Sequence, residues 1–424
     1  MTDGMQHDAV QRGAVQRDAV QRDAIQRGAI QRDSILVINA GSSSIKFYLY
    51  DIGPGDELTP RLGGQVEGIG TSHPRLRARD AEGKIMVERG IAPSHAADVP
   101  NAQEVVGMWL SGHLTGVPIA VGHRVVHGGP ELSAPVLIDD DVLARLESFT
   151  SLAPLHQPNN LAPIKVIRER RPGIAQVACF DTAFHRSHDA LADHYALPER
   201  FYEEGVRRYG FHGLSYEYLV QRLGQTLPEV LPGKIVAAHL GNGVSACAIH
   251  NGRSVDSTMG FTALEGLPMG TRPGRLDPGI VLWMMEQGMS HDEIEHLLYH
   301  DCGLKGLSGM GNDVRELLES DSPRARLALD YFAWRVAEGI AGLGCAMNGI
   351  DTLVFTAGIG ENAAPIRAAI CERLGWLGIA IDAERNAHHG PRISTGDSRV
   401  GVYVVRTNEE LVIAQHTLAL VRGR

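Results

Sequence analysis

Two apolar strands joined by a small polar turn open the patterned part of the chain. Ile35 to Ile38 is a continuous apolar run, which is typical of a strand buried on both faces. From Ile45 to Leu49, apolar side chains alternate with Lys46 and Tyr48, which predicts a half-buried strand. Gly41 and three serines lie between the two runs. The pattern predicts a hairpin in a core sheet, with an unusually hydroxyl-rich turn.

Further along, helical and extended periodicities intermix. Helices are predicted at Gln103–Leu114, Asp140–Leu152, Ser215–Leu227, Pro278–Leu298 and Ser322–Met347. Buried strands are predicted at Ala175–Phe180, Ile235–Leu240, Thr352–Thr356 and Val400–Arg406. Such intermixing predicts an α/β fold.

A second strand–turn–strand unit indicates how the chain is organised. Residues 235–250 repeat the layout of residues 35–51, with the small-residue turn at Gly241–Gly243. A chain of 424 residues is too long for one ordinary core. We therefore expect two domains. One interpretation is that each domain opens with such a unit and that the two turns lie across a shared cleft; a chance similarity between two common layouts is the alternative.

Residues 8–32 are five copies of a pentapeptide, whose apolar position holds valine or isoleucine. On an α-helix a step of five residues advances by about 140°, so these side chains spread around the cylinder and form no apolar face. We interpret residues 1–33 as a disordered low-complexity tail outside the fold. A partner-binding or self-association role is the alternative.

Composition narrows the class of protein. The net charge of −10 argues against nucleic acid or an anionic membrane as the main partner. The five cysteines form no CxxC pair, which argues against a zinc site or a disulfide framework and favours a reducing cytoplasm. No apolar run reaches the ~18 residues of a membrane span, and we expect no signal peptide.

Glycine-rich turns are the first candidate chemistry. The common P-loop and dinucleotide fingerprints are absent. Gly41–Ser44, Gly241–Gly243 and Gly358–Asn362 each follow an apolar strand, and each can aim several backbone N–H groups at one phosphate. Each turn alone has an ordinary structural interpretation, whereas three together favour phosphate binding.

Arginine and histidine recur in short polar stretches, at Arg124, His156, His212 and Arg272. Planar arginine and protonated histidine donors suit the charge that spreads over a transferring phosphoryl group. Asp181 follows a predicted strand, where a carboxylate can hold Mg²⁺, orient a nucleophile or simply cap a helix. Any one of these residues can have a purely structural role, but the repeated occurrence of side chains that bind oxyanions predicts an oxyanion site.

Taken in order, the motifs resemble those of the acetokinase family. The resemblance covers Ile35 to about Leu420 and rests on Asn39–Lys46, His123–Gly129, Phe180–His185, Tyr209–Gly213, His239–Gly243, Met259–Gly266, Met269–Arg272, Gly358–Asn362 and Thr407–Leu411. It implies a two-domain actin-like (ribonuclease-H-like) kinase fold with an interdomain cleft. The N-terminal domain would span residues 34–181, completed by a helix at about 411–424, and the C-terminal domain residues 182–410.

The resemblance also implies an activity. This is reversible, Mg²⁺-dependent transfer of the γ-phosphoryl group of ATP to acetate, which gives acetyl phosphate and ADP by direct in-line transfer. Mn²⁺ is a possible substitute metal. We expect a cytoplasmic homodimer without nucleic-acid or membrane partners.

Roles for individual residues follow from the same resemblance. The catalytic residues would be Asp181, the essential carboxylate, and His212 and Arg272, which stabilise the transition state. Arg124 would hold the acyl carboxylate, in a substrate site with His156, Val126, Leu155, Phe211 and Ala263. The nucleotide would contact Lys46, His239, Leu240, Gly241, Asn242, Gly243, Asp313, Val314, Arg315, Gly358, Ile359, Gly360, Glu361 and Asn362. The metal would lie at Asn39 and Glu409.

Two departures from the family pattern leave alternatives open. Ala263 stands where the family usually has proline, near the acyl methyl pocket, which favours a kinase that also accepts propionate or another short-chain acid. Arg275 stands where an acidic residue is usual, and we expect it to change the salt response. An actin-fold ATPase without acyl transfer is the more distant alternative, against which the positive cluster argues.

Overall fold

The computed structural model describes residues 33–114, 116–154 and 156–423, which divide into two compact units. Of these residues, the first unit contains 33–123, 162–177 and 417–423, and the second contains 124–161 and 178–416. The predicted domain boundary at residue 181 differs from this division and stays a prediction. The pentapeptide repeat and Leu155 lie outside the described residues.

An antiparallel meander opens the first unit. Its strands are β1 (Ser34–Ala40), β2 (Ser44–Ile52), β3 (Leu58–Glu67), β4 (Arg75–Asp80) and β5 (Ile85–Gly90), each paired with the next. The predicted hairpin is confirmed, with Asn39 opposite Lys46. β6 (Ala120–Val125) pairs parallel to β1, and helix α1 (Val99–Ser111) precedes it. The whole sheet has the order β5-β4-β3-β2-β1-β6-β8-β7.

The remaining elements of this sheet region are β7 (Val136–Leu137), α2 (Asp140–Ser148), α3 (Gln157–Arg170) and β8 (Ala175–Phe180). The division between the units falls inside β6, α3 and β8. In the first unit, apolar residues of β1 to β4 pack against α1, whose Trp109 contacts Phe47 with ring centroids 5.5 Å apart. This packing buries the alternating apolar face that the sequence predicts for β2.

The second unit is built on a five-stranded sheet of order β11-β10-β9-β12-β13. Its strands are β9 (Lys234–Leu240), β10 (Val244–His250), β11 (Arg253–Ser257), β12 (Thr352–Thr356) and β13 (Gly401–Val404). β9, β10 and β11 pair antiparallel, while β12 pairs parallel to both β9 and β13. The layout therefore repeats that of β1 and β2, with a hairpin followed by parallel strands.

The helices of the second unit cover both faces of this sheet. They are α4 (Ala190–Asp193), α5 (Glu199–Glu203), α6 (Gly213–Thr226), α7 (Pro278–Glu286), α8 (His291–His296), α9 (Gly303–Ser308), α10 (Val314–Glu319), α11 (Pro323–Met347), α12 (Ala357–Asn362), α13 (Ala364–Arg373), α14 (Ala383–Ala387) and α15 (Glu409–Val421), which continues into the first unit. Short 3₁₀ or π turns lie at Pro54–Asp56, Pro93–Ala96, Phe149–Leu152, Ala183–Ser187, Pro228–Val230, Leu297–Asp301 and Gly375–Leu377.

Alternate residues of β9 point to opposite cores. Val236 and Ala238 belong to the cluster that contains Phe332 and Val336 of α11, whereas Ile235 and Ala237 belong to the cluster that contains residues of α6. The continuous apolar run predicted for β9 is thus explained by burial on both faces. The sheet holds the loops that follow β9 and β12 in fixed positions.

Two sequence predictions are corrected by the structure. The single helix predicted at Pro278–Leu298 is two helices, because Gly288 adopts φ +88° and Ser290 caps the second one in a capping box with Glu293. Gly358–Asn362 is helical, as part of α12, and is not an open turn. In the described ranges, no helix has the length and apolar character needed to cross a membrane.

Candidate active site

The ends of two neighbouring strands bring the first charged pair together. β6 ends at Val125 and β8 at Phe180, and the N–H of Asp181 donates to the Val125 carbonyl at 3.2 Å. Arg124 Nε and Nη2 donate to Oδ1 and Oδ2 of Asp181 at 2.9 and 2.5 Å. Asp181 is 1% exposed. The guanidinium therefore holds a buried carboxylate in bidentate geometry, which restricts both groups.

Arg124 remains a cation in this setting. Burial alone would lower the pKa of its guanidinium, but the charge and hydrogen bonds of Asp181 outweigh burial, and the pKa is raised. The carboxylates of Glu409 and Glu410 act in the same direction. Glu409, one of the predicted metal ligands, therefore lies within electrostatic reach of Arg124.

Gly213 lets α6 begin close against Asp181. Its N–H donates to the Asp181 carbonyl at 2.8 Å, and a Cβ at position 213 would lie 2.2 Å from that oxygen. The preceding residue, His212, adopts the left-handed region at φ 57°. This conformation costs a non-glycine residue about 1–2 kcal/mol, so the contacts of His212 with its surroundings must offset that cost.

The β9–β10 hairpin supplies those contacts. His239 on β9 lies opposite Ser245 on β10. The His212 ring stacks on the His239 ring, with centroids 4.1 Å apart and an interplanar angle of 15°. His212 Nδ1 lies 2.8 Å from Ser245 Oγ. On the other side of the ring, a Cβ added to Gly243 would lie 3.1 Å from His212 Nε2. The imidazole is thus fixed beside the glycine-rich turn at 241–243.

Arg272 reaches the same region from the loop between β11 and α7. Its Nη1 donates to the Ala263 carbonyl at 3.2 Å, and its guanidinium carbon lies 5.7 Å from the centroid of the Tyr299 ring. Burial lowers the pKa of Arg272, Tyr299 partly restores it, and the charge of Arg124 lowers it further. A guanidinium nevertheless stays protonated. Two arginine cations therefore act on each other here, with the Asp181 carboxylate beside one of them.

The two predicted histidines are neutral. Burial, followed by the charges of Arg272 and Arg124, lowers the pKa of His156 to about 3. The pKa of His212 falls well below its ordinary value, mainly through burial and then through His239, Arg124 and Arg272. The prediction of protonated histidine donors is therefore wrong for this pair. A neutral imidazole still donates one hydrogen bond through its single ring N–H.

An apolar group of side chains accompanies the charged residues. Val126, Phe211 and Ala263 are buried in the same core cluster of the second unit. The N–H of Val126 donates to Asn160 Oδ1 at 2.8 Å, and the Phe211 carbonyl lies 2.9 Å from His185 Nε2. These bonds fix the backbone from which two of the predicted acyl-site residues project.

A cavity of about 580 Å³ occupies the neighbouring part of the second unit, a volume suited to a small-molecule ligand. Eight predicted nucleotide residues line it, namely Gly241, Asn242, Asp313, Val314, Arg315, Gly358, Ile359 and Asn362. Asn312, Leu318, Ala363 and Pro365 complete the lining and were not predicted. Asn312 Nδ2 donates to Asn242 Oδ1 at 2.7 Å. Its position directly before Asp313 is the signal by which the sequence could have identified it.

Other predicted nucleotide residues play different parts around this cavity. Glu361 Oε1 accepts the N–H groups of Ala357 at 2.9 Å and Thr407 at 3.1 Å, so this carboxylate fixes the start of α12. His239, Leu240, Gly243 and Gly360 belong to the elements that frame the cavity without lining it. A Cβ added to Gly360 would lie 3.5 Å or more from the neighbouring atoms, which is an ordinary van der Waals contact.

Two further predicted residues, the metal ligand Asn39 and the phosphate contact Lys46, lie on the first hairpin, whereas the second predicted metal ligand, Glu409, begins α15. Asn39 is buried at the end of β1, and Lys46 is exposed on β2. Asn39 and Glu409 both offer oxygen ligands, the type that Mg²⁺ prefers. Among the described residues no group of three or more histidine, cysteine or acidic side chains can hold a metal. Mg²⁺ is usually held by one or two protein carboxylates together with phosphates and water, so the oxygen of each side chain is of a type that suits it.

A family model for the acetokinase family matches residues 34–415. The chain belongs to the acetokinase family. A protein of Nitrobacter hamburgensis named acetate kinase is 56% identical over 393 residues, which cover 92% of this chain and 97% of that relative. A Rhizobium meliloti protein of the same name is 51% identical over 391 residues, covering 92% of this chain and 98% of that relative.

Solved structures of the family are similar over the same length. A propionate kinase of Francisella tularensis has a TM-score of 0.84 and 36% identity, covering 91% of this chain and 99% of that one. An acetate kinase of Porphyromonas gingivalis has a TM-score of 0.79 and 36% identity, covering 92% and 100%. The predicted α/β, two-domain actin-like fold is confirmed.

One departure from the family pattern is visible in the structure. Arg275 is 80% exposed at its side chain, and its Nη1 lies 3.9 Å from Glu338 Oε1. Solvent screens a charge placed in this way, so its effect on Arg272 is small at ordinary ionic strength. The predicted change in salt response stays a prediction.

Gly213→Ala tests the close approach of α6 to Asp181. Alanine is the better helix former, so helix propensity alone favours the variant by about 1 kcal/mol. We expect the opposite, a decrease of about 1–3 kcal/mol in the free energy of unfolding, because the new Cβ would overlap the Asp181 carbonyl. Gly342→Ala on α11 is the matched control, since an ideal Cβ there meets nothing within 4 Å. Urea unfolding measures the change in the free energy of unfolding for both variants. If Gly213→Ala stabilised the protein as Gly342→Ala does, the close approach would be contradicted.

Proposed function

We propose that this chain is an acetate kinase, which transfers the γ-phosphoryl group of ATP to acetate and forms acetyl phosphate and ADP. The observation that carries the proposal is the turn at Gly241–Gly243. One side of this turn lines the cavity of about 580 Å³, and its last residue lies against His212. A nucleotide in the cavity would therefore extend its phosphates toward His212 and the two arginines.

The residues at the site support direct transfer. The carboxylate of acetate is already a competent nucleophile, so the reaction requires no strong general base. Catalysis then depends on alignment and on neutralising the charge of the transferring group. In our proposal Arg124, oriented by Asp181, holds the acetate carboxylate, while Arg272 and the N–H of His212 donate to the phosphoryl oxygens. The methyl group lies against Val126, Phe211 and Ala263.

A divalent metal completes the proposed site. Mg²⁺, or Mn²⁺ in its place, supplies neutralisation of phosphate charge when bound, and Asn39 and Glu409 would hold it. Lys46 is the proposed phosphate contact from the first hairpin. Asp313 caps α10 and forms an ion pair with Arg315, and both residues would contact the adenosine end. All five cysteines are free thiols, and a cytoplasmic location is part of the proposal.

Propionate is the second candidate substrate. Ala263 is 9% exposed in the apolar cluster, and alanine is smaller than the proline usual in the family. One methylene in an apolar pocket is worth about 1–3 kcal/mol, so a preference between the two acids would be modest. A propionate kinase is also among the similar solved structures.

The experiment that tests the proposal is ATP- and Mg²⁺-dependent acyl phosphate formation, trapped with hydroxylamine, with acetate, propionate and butyrate. We expect kcat/KM to be highest for acetate. A higher value for propionate would assign the alternative substrate, and Ala263→Pro would then be expected to restore acetate preference. ATP turnover that no carboxylic acid affects would contradict acyl transfer altogether.

Arg124→Ala and Arg272→Ala separate substrate binding from transition-state stabilisation. Arg272→Ala should lower kcat by about 100- to 1,000-fold with a small change in KM for acetate. Arg124→Ala should mainly raise KM for acetate. Because it also leaves the buried Asp181 carboxylate unpaired, its unfolding free energy must be measured in parallel. The reverse split between kcat and KM would overturn the two assignments.

We further propose that the chain forms a homodimer through the apolar surface of α7. This helix exposes four large apolar side chains, namely Ile280, Leu282, Trp283 and Met285. Trp283→Glu should produce monomers in sedimentation velocity, because burying a carboxylate at an interface is costly. Trp376→Glu is the control, since Trp376 is 74% exposed on a different segment. A wild-type monomer, or an unchanged dimer in Trp283→Glu, would contradict this interface.

A further inference from the structure

The hydrogen bond between His212 and Ser245 continues to a buried tyrosine. Tyr216 Oη lies 2.5 Å from Ser245 Oγ, which lies 2.8 Å from His212 Nδ1. Tyr216 and Ser245 are both fully buried. Tyr216 lies in the first turn of α6, and His212 is the residue directly before that helix. The three groups form a continuous row from the phenol to the imidazole.

The surroundings of the phenol set the direction of proton donation. A buried hydroxyl requires an acceptor for its proton. Burial raises the pKa of Tyr216 well above its ordinary value, so the phenol keeps its proton. Among the side chains that the structure describes, Ser245 Oγ at 2.5 Å is the acceptor within hydrogen-bond distance of this hydroxyl. The phenol therefore donates to Ser245.

The donation continues to the imidazole. The Ser245 hydroxyl accepts from Tyr216 and has one proton of its own, which then points to Nδ1 of His212. His212 consequently carries its proton on Nε2, the nitrogen beside Gly243. The opposite direction would leave the phenol proton without an acceptor at a fully buried position, which is unfavourable.

The stacked ring of His239 is held in a similar way. Its Nδ1 lies 2.9 Å from Ser215 Oγ, which lies 2.9 Å from Thr407 Oγ1. A Cβ at Gly241 would lie 3.6 Å from His239 Nε2. In both rings a serine hydroxyl holds Nδ1 and leaves Nε2 at the turn of residues 241–243. The stacking keeps His212 in the plane that this row of hydrogen bonds requires.

We propose that Tyr216 and Ser245 are positioning residues that hold His212 in the Nε2–H tautomer, so that this N–H donates to the transferring phosphoryl group. The part played in transfer rests on the proposed function, whereas the tautomer assignment rests on the contacts alone. In the other tautomer the nitrogen that faces the turn would present a lone pair to an anion, which is repulsive. The hydroxyl row thus selects the form of the ring that can act as a donor.

Kinetics of Tyr216→Phe and Ser245→Ala test the positioning role. In Tyr216→Phe the Ser245 hydroxyl is free to accept from His212 Nδ1 instead of donating to it, and kcat should fall about 3- to 10-fold. Ser245→Ala removes the hydrogen-bond partner of His212 Nδ1, and kcat should fall about 10-fold or more. KM for acetate and ATP should stay within about two-fold, since neither residue binds them in this proposal.

Two controls, one at a half-buried tyrosine and one at a buried serine, separate this effect from the general loss of a hydroxyl. Tyr202→Phe removes a hydroxyl that donates to Asp193 at 3.0 Å. Ser257→Ala removes a buried hydroxyl that has no hydrogen-bond partner among the described residues. Both controls should keep kcat within about two-fold. Retention of full kcat by both test variants would overturn the positioning role.

The tautomer is measured directly on the full chain. Long-range ¹H–¹⁵N correlation spectra of protein labelled at histidine report which ring nitrogen carries the proton, and comparison with His212→Gln identifies the His212 signals. We expect Nε2–H in the wild type and a mixture in Ser245→Ala. A proton on Nδ1 in the wild type would overturn the inference. An Nε2–H signal in a protein that forms no acyl phosphate would support the assignment and refute the proposed function instead.

Discussion

Asp181 is the residue on which the candidate site depends, because its polar groups join β6, the Arg124 side chain and the start of α6. Its carboxylate binds the Arg124 guanidinium, its N–H donates to Val125 and its carbonyl accepts from Gly213. One buried residue thus fixes the end of β6, the direction of an arginine and the start of α6. Removing one member of a buried ion pair leaves an uncompensated charge, so substitution of Arg124 or Asp181 alone is expected to destabilise the fold.

The same local design, a hairpin followed by parallel strands, occurs in both units with different turn chemistry. In the first unit the hairpin pairs Asn39 with Lys46, and in the second it pairs His239 with Ser245. Antiparallel pairing places directly opposite side chains on the same face, which is why Ser245 can reach the imidazole that stacks on His239. In each unit, the register of the sheet therefore determines which site residues lie opposite each other.

Much of the fold was predictable because the decisive signals are local. Burial on both faces makes β9 and β12 continuous apolar runs, and Thr352–Thr356 was predicted to the residue. The division of the helix at Gly288 was missed because apolar periodicity continues across it. At the site, motifs indicated Asp181, His212 and Arg272, but a sequence does not show that Tyr216 and Ser245 meet His212. That contact depends on α6 packing against β10, which no spacing in the chain encodes.

The electrostatic character of the site follows from burial acting differently on two kinds of cation. Desolvation and the nearby arginines lower the pKa of His156 to about 3, so the imidazole contributes no charge near neutral pH. The guanidinium groups of Arg124 and Arg272 keep theirs, because arginine does not deprotonate in proteins. The positive charge is therefore constant across physiological pH, and the histidines act as directional donors. A donor without charge must present the correct ring nitrogen, and this requirement explains why both stacked imidazoles have a serine hydroxyl at Nδ1.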